Sequence, residues 1–297
     1  MMTPSMWTSY LIEWMPEEMV REFSRHGWHT CELSDEHGHD LLKQGDPVAV
    51  GTRLRAFAAD YGVRFPQGHF YLCTKGYRPE DQAGRKVADI APADAGEFAQ
   101  AQADMRRWID LFNALGVEAG VLHLGGGSLA AAGWSEERIL ARRCEAVSLL
   151  AEYARGGCTT LCLENLGAGS GVRNLADFEQ ILAAVNAPNV AICLDTGHAH
   201  INGVNCAEFI LGAGKRLKAL HIADNLGQHD DHMLPYGRGT VRWPEVMSAL
   251  REVQYSGLFN FEVPGENHCP RAVRLAKLDY ALALAGYMLA QDGLPPV

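Results

Sequence analysis

The sequence predicts a single (β/α)₈ barrel spanning residues 1–297, on three observations. Eight short apolar or β-branched runs recur along the chain. Each is followed by a loop and then a stretch with helical periodicity. No linker, low-complexity tract or basic tail divides the 297 residues, and a composition of 47% hydrophobic and 21% charged residues supports one large core.

The eight runs, in order, are MWTSYLI (6–12), WHTCEL (28–33), VRFPQGHF (63–70), EAGVLHL (118–124), TTLCLEN (159–165), VAICLDT (190–196), LKALHIA (217–223) and LFNFEV (258–263). The first two units are the least sharply patterned. Among the helices, SEERILARRCEAVSLLAEYARGG is well delimited, with Ser135 as N-cap, Glu136 and Glu137 at the positive end of the dipole, and Gly156 and Gly157 as the stop. WPEVMSALREVQYSG reads the same way, with Pro244 at the first helical position and Gly257 beyond the end. The 72–96 segment after GHFYL is far longer than an ordinary βα loop, so it reads as a lid or substrate-contact segment, or else as a poorly ordered insertion.

Composition also narrows the function classes. No apolar run reaches the roughly 20 residues of a membrane span. The N-terminus lacks a basic region, and Glu13, Glu17 and Glu18 interrupt any signal-like stretch, so a soluble cytoplasmic protein is expected. Eight cysteines without a CxxC pair do not form a disulfide framework or thiolate zinc site; most read as small buried hydrophobes. The net charge of −10 argues against general nucleic-acid binding, which depends on lysines and arginines that displace counterions.

In a (β/α)₈ barrel, strand C-terminal ends gather at the functional face. Here the third strand ends at His69, the fourth at His123, the fifth at Glu164, and the sixth at Asp195 with His198 just beyond. The seventh ends at His221, with Asp230 and His232 on its loop, and the eighth ends at Glu262. One such histidine is ordinarily a capping residue, but six consecutive strands ending in imidazole or carboxylate converge on one axis. Several buried carboxylates together call for a cation. Oxygen and nitrogen donors without thiolate suit Zn²⁺, Mn²⁺ or a similar divalent ion.

The motifs LENLGAGSG, CLDTGHAHINGVN and LHIADNLGQHDDHMLPYGRG, in that order, resemble the xylose-isomerase-like barrel superfamily. That superfamily contains sugar isomerases and epimerases and the endonuclease IV family. Resemblance to the ketose epimerases implies one divalent ion held by Glu164, Asp195, His221 and Glu262. Glu164 and Glu262 would then exchange a proton beside a carbonyl from opposite faces through an enediolate, while His198 contacts substrate oxygen. Resemblance to endonuclease IV implies up to three zinc ions. His69, His123 and Glu164 would hold the first; Glu164 bridges to a second completed by Asp195, His221 and Glu262; and His198, Asp230 and His232 hold the third.

The acidic charge, the lack of a basic run and the MLPYGRGTVRW loop favour a small carbohydrate-like substrate over abasic DNA. A non-catalytic sugar-binding barrel is disfavoured by the presence of both glutamates. Homologous barrels often associate into homo-oligomers, but no interface is legible in the sequence.

Other residues carry weaker signals. Arg238 is equally a substrate contact and a loop-fixing cation. Phe70, Tyr71 and Trp134 could wall a sugar pocket, although an aromatic near a strand end is more often packing. The glycines at 125–127 lack the partners of a phosphate cradle and read as a tight turn. His200 falls outside the ligand pair, and His26, His29, His37 and His39 read as a solvated loop.

Overall fold

The computed structural model describes residues 1–167, 172–265 and 268–290. Eight parallel strands form the barrel: β1 (Thr3–Trp7), β2 (Thr30–Leu33), β3 (Arg64–His69), β4 (Ala119–Leu122), β5 (Thr160–Glu164), β6 (Val190–Asp195), β7 (Leu217–His221) and β8 (Leu258–Phe261). Their order runs from β7 through β1 to β8, so each strand neighbours its predecessor and β1 pairs with β8. The ring closes between β7 and β8, where the Ile222 N–H donates to Asn260 O at 2.8 Å and the Glu262 N–H to Ile222 O at 3.2 Å. Helices surround the ring, as the βαβ rule requires.

The barrel interior is lined by small side chains, Ala119, Val121, Cys162, Ala191, Cys193 and Ala219, all buried. They leave room above them for the long polar residues at the strand ends. Four of the eight cysteines, Cys31, Cys162, Cys193 and Cys206, are buried; Cys158 is exposed.

Three expectations are corrected. The first strand covers Thr3–Trp7 rather than 6–12, because Thr8–Leu11 folds into a 3₁₀ turn directly after it. Thr8 Oγ1 accepts the Ser34 N–H there at 2.8 Å. The stretch holding His37 and His39 is a helix, Asp35–Leu42, capped by Ser34. His37 is fully buried, with Nε2 3.1 Å from Trp14 O and Nδ1 3.0 Å from Thr8 Oγ1. His29 is exposed, whereas His26 is half-buried beside Asp279.

The third correction concerns the helix Trp243–Glu252, which has Pro244 in its second position and ends five residues before Gly257. It stops early because Gln254 takes a left-handed φ of 55° and Tyr255 turns inward to donate its hydroxyl to Leu258 O at 3.1 Å. By contrast, Ser135 caps the helix Glu136–Ala154 as expected.

The long 72–96 segment is pinned at several points. A bridge joins Cys73 to Val87, Arg78 forms an ion pair with Asp40, and Lys43 pairs with Asp81. Asp89 accepts from the Gly126 N–H and the Ser128 hydroxyl, both at 2.8 Å. The glycine run at 125–127 is therefore a tight turn, with φ of 64° at Gly125 and 84° at Gly126, built around a carboxylate of the chain itself.

Candidate metal centre and active site

The barrel brings the strand-end residues together. Donor atoms of Glu164, Asp195, His221 and Glu262 all lie within 4.8 Å of one another, and His69, Glu164 and His221 form an overlapping group. All five are buried. His123 Nε2 approaches Glu164 Oε2 at 2.9 Å, and His69 Nε2 approaches it at 3.3 Å. His221 Nδ1 lies 3.0 Å from Glu164 Oε1 and 3.3 Å from Glu262 Oε1.

Asp195 shows how local structure aims one oxygen. Its Oδ1 accepts the His198 backbone N–H at 2.6 Å and so caps the helix Thr196–Ile201. Asn165 fixes its backbone from both sides, at 2.7 and 2.9 Å. Asp195 Oδ2 is left buried with no hydrogen-bond partner, and Glu262 Oε2 is in the same condition.

Three imidazoles are oriented by backbone carbonyls. Nδ1 of His69, His198 and His232 donates to Phe70 O (2.6 Å), Asn165 O (3.0 Å) and Glu262 O (2.8 Å), respectively. In each case Nε2 is left facing a carboxylate, the arrangement that fixes a ligating tautomer. His198 and His232 both face Asp230 Oδ2, at 3.1 and 3.0 Å. Among the described residues, His198, Asp230 and His232 are joined in this line through one oxygen and do not form a convergent donor group of the kind around Glu164.

A buried polar chain that sequence reasoning missed supports the centre. His221 Nε2 donates to Glu32 Oε1 at 2.9 Å, Asn260 Nδ2 donates to Glu32 Oε2, and Ser5 Oγ donates to Asn260 Oδ1 at 2.8 Å. Glu32, Asn260 and Ser5 are fully buried. The available signal was an acid inside the apolar run TCEL, because a buried carboxylate there needs a partner.

Electrostatics follow the geometry. Burial alone would raise the Glu164 carboxyl, but His221, His123 and His198 hold it well below the ordinary value. Burial pushes Glu262 up to about 8, with His221 and His232 opposing and Glu164 and Asp195 reinforcing. Burial opposes charge on His198, yet Asp195, Asp230 and Glu164 push it up to about 12. His232 rises to about 10 and His69 to about 9, each against desolvation, chiefly through a hydrogen-bonded carboxylate.

The residues expected to contact a substrate fare differently. Phe70 does not wall the site: it is 1% exposed and its ring packs on Phe112 at 4.6 Å. Strand alternation explains this, because His69 points inward and the next residue must point outward. Tyr71 stacks on Trp108. Trp134 is half-buried, with the Arg138 guanidinium 4.1 Å from its ring centroid. Arg238 is exposed on the loop after β7. His200 lies outside the donor groups, bonded to Thr240 Oγ1 at 2.8 Å. Residues 168–171 of the LENLGAGSG motif lie outside the described residues.

The sequence profile of the xylose isomerase-like TIM barrel family matches residues 20–283. This chain belongs to that family. An L-ribulose 3-epimerase of Methylomonas sp. is 28% identical over 248 residues, covering 76% of this chain and 82% of that protein. The uncharacterized protein y4fM of Sinorhizobium fredii is 27% identical over 42% of this chain, and the chain spans only 40% of its length. Among solved structures, a D-psicose 3-epimerase crystallised in the presence of D-fructose superposes with a TM-score of 0.77 at 19% identity, covering 98% of this chain and all of that one. Among the described residues, no helix is long and apolar enough to cross a membrane.

Proposed function

We propose that this family member is a divalent-metal-dependent isomerase or epimerase of a small sugar or sugar-like keto compound. The observation that carries the reading is the convergence of Glu164, Asp195, His221 and Glu262, with Asp195 Oδ2 and Glu262 Oε2 buried without a hydrogen-bond partner. Orphaned carboxylate oxygens in so tight a group fit a cation, and the oxygen and nitrogen donors suit Mn²⁺ or Zn²⁺. Those four residues would hold it, and when bound it supplies Lewis-acid polarisation of a substrate carbonyl.

The chain's own groups then carry the proton. Glu164 ends β5 and Glu262 follows β8 directly; in this reading one carboxyl takes the proton beside the carbonyl and the other returns it from the opposite face. His198, steered by Asn165 O, offers Nε2 to a substrate oxygen, and Glu32 holds His221 in the orientation that presents Nδ1. Trp134 and Arg238 are the remaining candidates for contact with the substrate. The similarity to the L-ribulose 3-epimerase supports the reaction class.

A second reading, endonuclease IV-like hydrolysis at a zinc cluster, has one observation in its favour. His198, Asp230 and His232 stand next to the four-donor group, while His69 and His123 attach to Glu164. The net charge of −10 weighs against a polyanionic substrate.

The test is turnover of a ketose panel with Mn²⁺ or Zn²⁺, repeated after chelation and in Glu164→Gln and Glu262→Gln. Metal-dependent interconversion that is lost in both variants is expected. Chelator-sensitive nicking of an abasic duplex without ketose turnover would replace this reading with the second.

A further inference from the structure

A cavity of about 620 Å³ opens at the end of the barrel away from the strand-end carboxylates. Thr3, Arg64, Ala119, Thr160, Leu217 and Leu258 are the first residues of their strands, and all six line it. Barrel interiors are ordinarily filled by layers of bulky branched side chains. Here the interior layer is mostly alanine and cysteine, which leaves the bottom of the barrel open.

Two features of the lining point to a ligand. Gln67 lines the cavity from β3 and is 1% exposed; its Nε2 donates to Leu220 O at 3.2 Å, whereas its Oε1 is buried without a hydrogen-bond partner. Rotating the amide would set its oxygen against the Leu220 carbonyl oxygen, so Oε1 stays an acceptor in need of a donor. Charge is the second feature. Arg64, Lys215 and Lys218 line the cavity with a single acid, Glu118, in a chain whose net charge is −10. None of the three cations forms an ion pair among the described residues, while the neighbouring Arg216, outside the lining, pairs with Glu179 at 3.3 Å.

We propose that this cavity binds a small anion that also carries hydroxyl groups, of the class of sugar and polyol phosphates, at a site separate from the strand-end carboxylates. Arg64 and both lysines are exposed and take the phosphate at the rim, while a hydroxyl group donates to Gln67 Oε1 on the inner side. The volume lies within the roughly 300–1,000 Å³ of small-molecule sites. A nucleotide fits less well. The one aromatic residue in the lining, Tyr255, is 8% exposed with its hydroxyl bonded to Leu258 O, so it offers no ring face to a base. The site is independent of the reaction proposed for Glu164 and Glu262.

Calorimetric titration of the full chain, with metal stripped by chelation, tests this with glucose 6-phosphate, glucose and inorganic phosphate. Glucose 6-phosphate should bind about tenfold more tightly than either of the others. The double variant Arg64→Ala/Lys218→Ala should weaken it about tenfold or more while melting like the wild type, because both side chains are exposed. Gln67→Leu should weaken glucose 6-phosphate about tenfold and leave inorganic phosphate within about twofold. Glu262→Gln, at the opposite end, should bind as the wild type does. Should Gln67→Leu fail to fold, the double variant and the Glu262→Gln control decide. No binding by the wild type, equal binding of inorganic phosphate (an adventitious ion only), binding that survives the double variant or a folded Gln67→Leu, or binding lost in Glu262→Gln would overturn the proposal.

Discussion

Glu32→Gln perturbs the support beneath the proposed metal centre without touching the four proposed ligands. Glu32 accepts two hydrogen bonds, from His221 Nε2 and Asn260 Nδ2, and all three side chains are fully buried. Glutamine keeps the shape but offers only one acceptor oxygen, so one of the two donors must face an N–H group. Asn260 cannot compensate by rotating its amide, because its Oδ1 already accepts from Ser5. One buried unsatisfied donor costs about 1–3 kcal/mol, and loss of a charge-assisted bond adds to it. Taking roughly 3 kcal/mol in total, and an unfolding entropy near 2.1 cal/mol/K per residue over 297 residues, the melting temperature should fall by about 5 °C.

The functional effect has a separate readout. Without the carboxylate on Nε2, His221 becomes a poorer donor at Nδ1, so affinity for Mn²⁺ or Zn²⁺ should drop about 10- to 100-fold. Calorimetric titration of metal-stripped protein measures that affinity, and a thermal melt measures the stability. Affinity within twofold of wild type, with an unchanged melting temperature, would refute the reasoning.

Three further outcomes are expected. Burial depresses the His37 imidazole from about 6.5 to about 4, so the unfolded chain binds the proton first as pH falls, and stability is lost between those values. The loss is about 3 kcal/mol at 1.36 kcal/mol per unit, and denaturant titrations at pH 7 and pH 4 should show it in the wild type but not in His37→Gln. Asp89→Ala removes the bonds to Gly126 and Ser128 that pin the 72–96 segment, so amide exchange across that segment should accelerate while the barrel strands keep wild-type protection. Metal analysis of purified protein should give close to one ion per chain, unchanged in Asp230→Ala; a value near three would favour the clustered reading.

The barrel and its group of four donors were legible because they rest on a local regularity: an apolar run followed by a polar residue marks a strand end, and the barrel gathers strand ends by construction. Glu164, Asp195, His221 and Glu262 were readable on that basis, and the structure brings them into one group. Glu32 was missed because it sits one residue inside its strand, where only the closed ring reveals His221 and Asn260 as partners. Phe70 was misplaced for the converse reason, since nearness to a strand end in sequence does not fix which way a side chain points. His37 was misread because four histidines in a short stretch look solvated until the Ser34 cap and the turn at Thr8 fold around one of them.

Solvent isotope exchange tests the central claim most directly. Metal-loaded protein incubated with candidate ketoses in D₂O should place one deuterium on the carbon beside the carbonyl, in product and in recovered substrate. That label should vanish in Glu164→Gln, in Glu262→Gln and on chelation. Interconversion without deuterium at that carbon, or exchange that persists when either glutamate is replaced, would contradict proton transfer by this pair.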